Sequence, residues 1–345
     1  MKVDKETFRA RALRLIADDG RGVAARLASE LGVSRALASK RLLTLLEEGV
    51  IEATGTTRAR VLGLRPLAAV AREYVRAGLN EDLVWRDVFR GEVSGLPSNV
   101  RDIWQYGVSE MVNNAIDHSG SKRITVSVSR DALGTRASVR DHGEGIFTKL
   151  QRALDLLDPR EAILELAKGK LTTDPARHSG EGIFFSSRVF DVFTIRSGAL
   201  TFTHDQALSG GNDWRIEPSA NAEGTEVSMR LANDSARTSK AVFDEFAAPD
   251  EYTFSKTCVP VRLAQLEGEK LLSRSQARRL AARFERFRDV VLDFTEVVEI
   301  GQAFADELFR VFARAHPLVL LTPTNMSVAV AQMVARARAH GRDLG

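Results

Sequence analysis

Apolar positions recur at helical spacing near the start of the chain, where Phe8, Ala12, Leu13 and Ile16 predict a first helix that stops near Asp19-Gly20. A shorter helix is expected over 23–31, ending at Gly32, where a left-handed residue suits a tight turn. Ser34 can then cap a third helix running to about Glu48. That helix turns Leu42, Leu43, Leu45 and Leu46 toward a core. Two short runs, 50–53 and 59–62, flank Thr54-Gly55-Thr56-Thr57 and read as a two-stranded hairpin. Residues 66–97 read as a helical linker or brace, partly amphipathic and without chemistry. Next, Trp104, Val108, Met111 and Ala115 fall at i, i+4, i+7 and i+11, one buried helical stripe. A strand pair at 124–130 and 136–140, a helical region over 147–167, a helix start near Gly182 and a closing strand at 224–231 follow. From about residue 251, strands at 259–263, 290–294 and 318–321 alternate with helices at about 273–286, at about 302–315 and from 327.

Composition narrows the class. The 345 residues suffice for two or three domains, and 44% hydrophobic with 28% charged residues is a globular balance that excludes disorder as the main state. No run approaches the ~18 apolar residues of a membrane helix, and the charged opening is unlike a signal peptide, so a cytoplasmic protein with no membrane partner is expected. The single cysteine, Cys258, allows no intrachain disulfide and no thiolate metal cluster, and reads as a buried structural thiol. The six histidines show no paired metal-ligand spacing. Charge is uneven: residues 1–65 hold 13 Lys/Arg against 8 Asp/Glu, and the remainder 36 against 38. A basic amino-terminal element suggests a polyanionic partner.

That element, over about residues 5–64, resembles the winged helix-turn-helix domains of bacterial transcription regulators. The resemblance implies double-stranded DNA as partner. Ser34, Arg35, Ser39, Lys40 and Arg41 would lie on the recognition helix, and Arg58 and Arg60 on the wing.

On the helix of the Trp104 stripe, Glu110, Asn114 and Asp117 share a second face at i, i+4 and i+7. Asn114 offers a neutral oxygen to a Mg2+ that also holds phosphates, and Glu110 a carboxylate able to orient or deprotonate a water. Downstream, Asp141-His142-Gly143-Glu144-Gly145 follows a strand. An Asp there can accept from an exocyclic amine, and the glycines let a base or phosphate approach. Gly180-Glu181-Gly182 precedes a helix start that favours phosphate, and Gly224-Thr225 opens the last strand.

These four elements, in this order over residues 98–232, resemble the conserved boxes of the GHKL (Bergerat-fold) ATP-binding superfamily, which includes gyrase, sensor histidine kinases and anti-sigma serine kinases. The resemblance implies an α/β sandwich holding ATP and Mg2+. Carried over, Asn114 is the Mg2+ ligand, Asp141 the adenine partner, and Gly143 and Gly145 the adenine-side loop. Gly180 and Gly182 form the phosphate loop, Thr225 supplies an adenine-side hydroxyl, Glu110 matches the general base, and Asp117 lies at the helix end. Lys168, Lys170 and Arg177 are candidate lid cations or solvated loop charges. No His precedes the domain in the way a phosphoacceptor hairpin needs, so histidine autophosphorylation is not expected.

The C-terminal segment resembles STAS-like domains. It has Gly301-Gln302-Ala303-Phe304 where anti-anti-sigma factors carry their phosphorylated serine, so no phosphoserine switch is expected there. Val297, Ile300, Phe304, Leu308 and Val311 read as core. The expected fold is multidomain α+β: a mainly α winged helix (1–65), the brace (66–97), the Bergerat α/β sandwich (98–235) and a small STAS-like α/β domain (250–345). The expected function is an ATP-responsive DNA-binding transcription regulator and homodimer, with a protein partner through the STAS-like domain. The alternative is a Mg-dependent ATPase or anti-sigma-type protein serine kinase.

Overall fold

The computed structural model describes residues 3–56, 59–171, 180–206, 213–247, 253–265 and 269–342. Three helices open the chain: α1 (Lys5–Asp18), α2 (Val23–Leu31) and α3 (Arg35–Glu47). Their ends have local causes. Asp4 accepts the Thr7 N–H at 2.8 Å to cap α1, Gly32 ends α2 at φ 63°, and Ser34 Oγ accepts the Leu37 N–H at 3.2 Å to cap α3. An antiparallel hairpin follows, β1 (Ile51–Thr54) with β2 (Val61–Leu64), two residues later on its second strand than the pattern suggests. Phe8, Ile16, Leu27, Leu42, Leu45 and Ile51 form a core separate from that of the remaining chain.

The brace expected at 66–97 is not a helix throughout. Residues 68–75 form β3 (Ala68–Val75), which pairs antiparallel with β4 (Arg123–Arg130). Val70 and Tyr74 are half-buried while Ala69, Ala71 and Arg72 are exposed, and the strand supplies β4 with a partner for its backbone. Only α4 (Glu81–Val84) and the π-helical turn Trp85–Phe89 match the helical expectation. Among the described residues a five-stranded sheet runs β3-β4-β5-β7-β6, with β5 at Gly134–Asp141, β6 at Val192–Asp205 and β7 at Asp213–Ala232. Helices α5 (Ser98–His118), α6 (Ile146–Ala153), α7 (Pro159–Lys168) and α8 (Gly182–Val189) complete this unit, and α9 (Ser239–Phe246) packs on α5 and α8.

The C-terminal strands β8 (Lys256–Pro260), β9 (Asp289–Asp293) and β10 (Leu320–Thr324) form a parallel sheet in the order β10-β9-β8. Strand β8 lies three residues earlier than expected and stops at Pro260, which has no N–H to continue the ladder; a 3-10 turn takes over at Val261–Ala264. Helix α10 (Arg274–Ala281) carries a full capping box between Ser273 and Gln276. Helix α11 (Gln302–Asp306) passes through a π-helical stretch, Glu307–Phe312, into α12 (Ala313–Ala315), and α13 (Val328–Arg342) ends the fold. Val297, Ile300, Phe304 and Leu308 are buried as expected, but Val311 is exposed. The wider turn of the π-helix shifts the helical phase and brings Phe312 inward instead. One continuous hydrophobic core joins the five-stranded and parallel sheets through Phe184, Phe246, Phe254 and Phe287.

Candidate nucleotide-binding site

The apolar stripe of α5 is buried, which leaves Glu110, Asn114 and Asp117 on the face toward a cavity of about 480 Å³. That volume suits a small ligand. Its other walls come from the end of β5, the loop into α6, the last turn of α7 and the start of α8.

Asp141, the last residue of β5, is 5% exposed, and its Oδ1 accepts the N–H groups of Gly143 at 2.8 Å and Thr225 at 3.3 Å. Burial raises its carboxyl from the ordinary value, and the two backbone bonds oppose the rise. The surrounding loops interlock: the Ile146 N–H donates to Thr225 Oγ1 at 3.0 Å, and the Ser197 hydroxyl to the Gly224 carbonyl at 2.9 Å. Gly224 has φ +74°, and a Cβ there would collide with the Asp141 carbonyl oxygen. Gly143 does not line the cavity. A side chain on it would strike the Ser119 carbonyl, so its service is to bring helix α5 and the Asp141 loop together.

At the opposite end, the Leu171 N–H donates to the Gly180 carbonyl at 3.1 Å. Gly182 opens α8, and a Cβ there would meet the Glu110 carboxylate. Glu110 therefore lies against a helix start, whose first-turn N–H groups have no intrahelical partner and favour anions. One turn earlier on α5, burial and the charges of Glu110 and Glu181 push the Tyr106 phenol up. Eight of the nucleotide-site residues expected from sequence thus line one cavity: Glu110, Asn114, Asp117, Asp141, Gly145, Gly180, Gly182 and Thr225.

Lys149 also lines the cavity and donates to the His118 carbonyl at 2.6 Å, which closes the C-terminal end of α5. No motif marks it; its only signal is its place one turn into the helix after the glycine loop. The lid cations are placed otherwise than expected. Lys168 is fully buried in an ion pair with Glu165, and Lys170 donates to the Arg286 carbonyl at 3.0 Å between the Phe254 and Phe287 rings. Neither is a solvated loop charge. Arg177 lies outside the described residues.

Among the described residues no group of three His, Cys, Asp or Glu could hold a metal. A Mg2+ would fit this cavity through Asn114 and phosphate oxygens, the low-protein-ligand arrangement usual for that ion. No described helix is long and apolar enough to cross a membrane.

The N-terminal candidates divide. Arg35, Ser39 and Arg60 border one cleft between α2, α3 and β2, and Lys40 is exposed beside it. Ser34 caps α3, and Arg41 donates to the carbonyls of Val3 and Asp4 at 3.1 and 3.3 Å while lying over the Phe8 ring. Arg41 therefore fastens α3 to α1 instead of pointing outward. Arg58 lies outside the described residues.

Residues 59–203 match the family model described as a histidine kinase-like ATPase domain, and residues 276–331 match a STAS-like domain of unknown function (DUF4325). The chain thus carries a GHKL-type ATPase domain followed by a STAS-like domain, and the former implies ATP binding. The first match starts at 59 and not near 98, in accord with β3 belonging to the sheet. Neither match covers the three N-terminal helices, and no curated protein matches the chain.

Proposed function

We propose that the protein binds ATP with Mg2+ in the α5 cavity and acts as an ATPase, with Glu110 as general base. The observation that carries this reading is Asp141: a buried carboxylate at a strand end, held through one oxygen by two backbone N–H groups and lining a cavity of nucleotide size. The base sits at that floor with its amine on Asp141, beside Gly145 and Thr225. The phosphates lie toward Gly180, Gly182 and the start of α8. Bound Mg2+ neutralises phosphate charge; Asn114 would hold it. Glu110, at the α8 start, takes a proton from water at the phosphate end. Titration of the full chain with a fluorescent ATP analogue, with and without Mg2+ and with Asp141→Ala as control, tests it. Saturable binding lost in the control supports it, and equal signals from both proteins refute it.

Phosphoryl transfer to a protein partner uses the same pocket. An acceptor on the chain's own STAS-like domain is disfavoured, because the expected acceptor position, Gln302-Ala303 at the start of α11, carries no hydroxyl to phosphorylate. A partner in trans is the consistent substrate.

A second reading, ATP-responsive DNA binding by a homodimer, draws on the N-terminal unit. Three helices and a hairpin with Arg35, Ser39, Lys40 and Arg60 around an open cleft suit a winged helix on a duplex. Recovery and sequencing of genomic fragments with ATP, ADP or no nucleotide tests it. Discrete sites whose occupancy follows the nucleotide support it, and their absence removes it.

A further inference from the structure

From Glu161 onward helix α7 is buried on every side, although three of those residues are ionisable. Residues 161–169 are all buried, including Glu161, Glu165 and Lys168. A surface helix would hide one stripe only; this one is held between two bodies. On one side Leu166, with Leu171 just beyond the helix end, walls the nucleotide cavity. On the other, Glu161 pairs with Arg279 at 3.0 Å and Glu165 with Arg283 at 3.1 Å, both arginines belonging to the α10 region of the STAS-like domain.

The C-terminal end of α7 carries the more telling pattern. A helix leaves its last carbonyls without intrahelical donors. Here four consecutive carbonyls each receive a side-chain donor. Arg188 of α8 serves Ala167 at 3.1 Å, Thr257 serves Lys168 at 2.7 Å, Arg283 serves Gly169 at 2.7 Å and Arg286 serves Lys170 at 3.1 Å. Three of the four donors come from the C-terminal domain. The capping is reciprocal, since Lys168 Nζ donates to the carbonyls of Arg279 and Ala282 at the end of α10, at 3.2 and 3.0 Å, and Lys170 Nζ to that of Arg286. The next residue, Leu171, is the one that bonds Gly180 at the phosphate end of the cavity.

We propose that the STAS-like domain supplies the C-terminal cap of α7 and through it positions the phosphate-side wall of the nucleotide site, so that docking of that domain and nucleotide occupancy stabilise one another. The inference rests on the nucleotide reading given above. Loosening the docked domain frees three of these carbonyls, those of Lys168, Gly169 and Lys170, and lets Leu166 and Leu171 leave their places. Nucleotide affinity then falls. By reciprocity, nucleotide tightens the seam. A partner that binds the α10 surface in place of α7 releases nucleotide.

The test uses the full chain. Amide hydrogen exchange is followed at α10 and 255–258, beyond α7 from the cavity, with and without a non-hydrolysable ATP analogue and Mg2+. Analogue affinity is measured in wild type, Arg283→Met and Thr257→Val. Neither variant residue lines the cavity, and Thr257→Val keeps the buried shape if the arginine variant fails to fold. The expected results are slower exchange across the seam in the wild type only when nucleotide is bound, and an affinity loss within the roughly 5- to 150-fold range of typical couplings. A merely structural seam would lower thermal stability and leave the bound-versus-free exchange difference at zero. Wild-type binding with no exchange difference at α10, or with affinities within about twofold in folded variants, overturns the coupling alone. Absence of binding by the wild type overturns the nucleotide reading and the coupling with it.

Discussion

Asp141→Asn separates what the nucleotide site needs from what the fold prefers. The substitution keeps shape and removes the charge. In the native protein Oδ1 accepts two backbone N–H groups, from Gly143 and Thr225. An asparagine must turn its single carbonyl oxygen to those donors, which leaves its NH2 toward the cavity. There it would meet the exocyclic amine of the base in the proposed pose, donor against donor. The loss of a hydrogen bond to a charged group is about 1.5–3 kcal/mol, or roughly 10- to 150-fold in affinity, and the opposed donors add to it. Stability moves the other way. Burial raises the Asp141 carboxyl above its ordinary 3.8, so the folded state holds the proton more tightly than the unfolded chain does. Stability therefore falls as pH rises through the raised value. Asparagine has no such dependence, so its advantage over wild type is present at neutral pH and vanishes below the unfolded value. Calorimetric titration with the ATP analogue and urea unfolding at several pH values read both effects. Unchanged affinity, or a variant less stable than wild type at neutral pH and equal in acid, would refute the assignment.

Gly224→Ala and Gly120→Ala share a positive φ, +74° and +69°, but only Gly224 lacks room for a Cβ. Urea unfolding should show about 1–2 kcal/mol lost at Gly120, and about 1–3 kcal/mol more at Gly224 from overpacking, with analogue binding lost only at Gly224. Glu110→Gln should retain analogue binding while phosphate release drops by about 10²- to 10⁴-fold; a variant that hydrolyses at the wild-type rate dismisses Glu110 as base. If the second reading holds, Arg35→Ala and Arg60→Ala should each weaken DNA binding and lower the slope of log K against log salt by about one. Arg41→Ala should instead act on N-terminal stability, because its guanidinium is spent on the Val3 and Asp4 carbonyls.

The lining of the candidate site was legible where chemistry and spacing coincide along one element. Glu110, Asn114 and Asp117 share a helix face, and glycines beside Asp141, at 180–182 and at 224 mark places where the backbone turns or approaches closely. What escaped depends on partners distant in sequence. Strand β3 alternates only weakly and gains its identity from pairing with β4. Lys168 looked like a loop cation because Gly169 and Lys170 follow it and lead into a polar stretch from Thr172. Its burial follows from α10, more than a hundred residues away. Arg41 is indistinguishable from Lys40 by position, yet one reaches back to α1 and the other stays exposed. Val311 was lost to a π-helical phase shift that no apolar period announces.

The two flanks of the nucleotide site are joined to it by different physics, and this orders their response. On the N-terminal side the connection is continuous backbone. Strand β2 ends at Leu64 and β3 begins at Ala68, the Leu67 N–H bonds the Arg130 carbonyl at 2.7 Å, and Ala132 and Leu133 of the β4–β5 turn pack into the N-terminal core. Strand β5 runs from that turn to Asp141, about 26 Å of fully paired strand at roughly 3.3 Å per residue. Its ladder bonds leave it little freedom to rearrange. On the C-terminal side the connection is a set of side-chain caps and ion pairs around α7, each separable without breaking a strand. Closely packed strands transmit position, whereas under the proposed coupling the set of caps would exchange between a docked and a released arrangement, and two arrangements are what an allosteric coupling requires. Nucleotide binding should therefore register first at the α7–α10 seam. Any effect on the N-terminal helices should arrive as a movement of the whole sheet edge with β3, not as an independent swing of those helices.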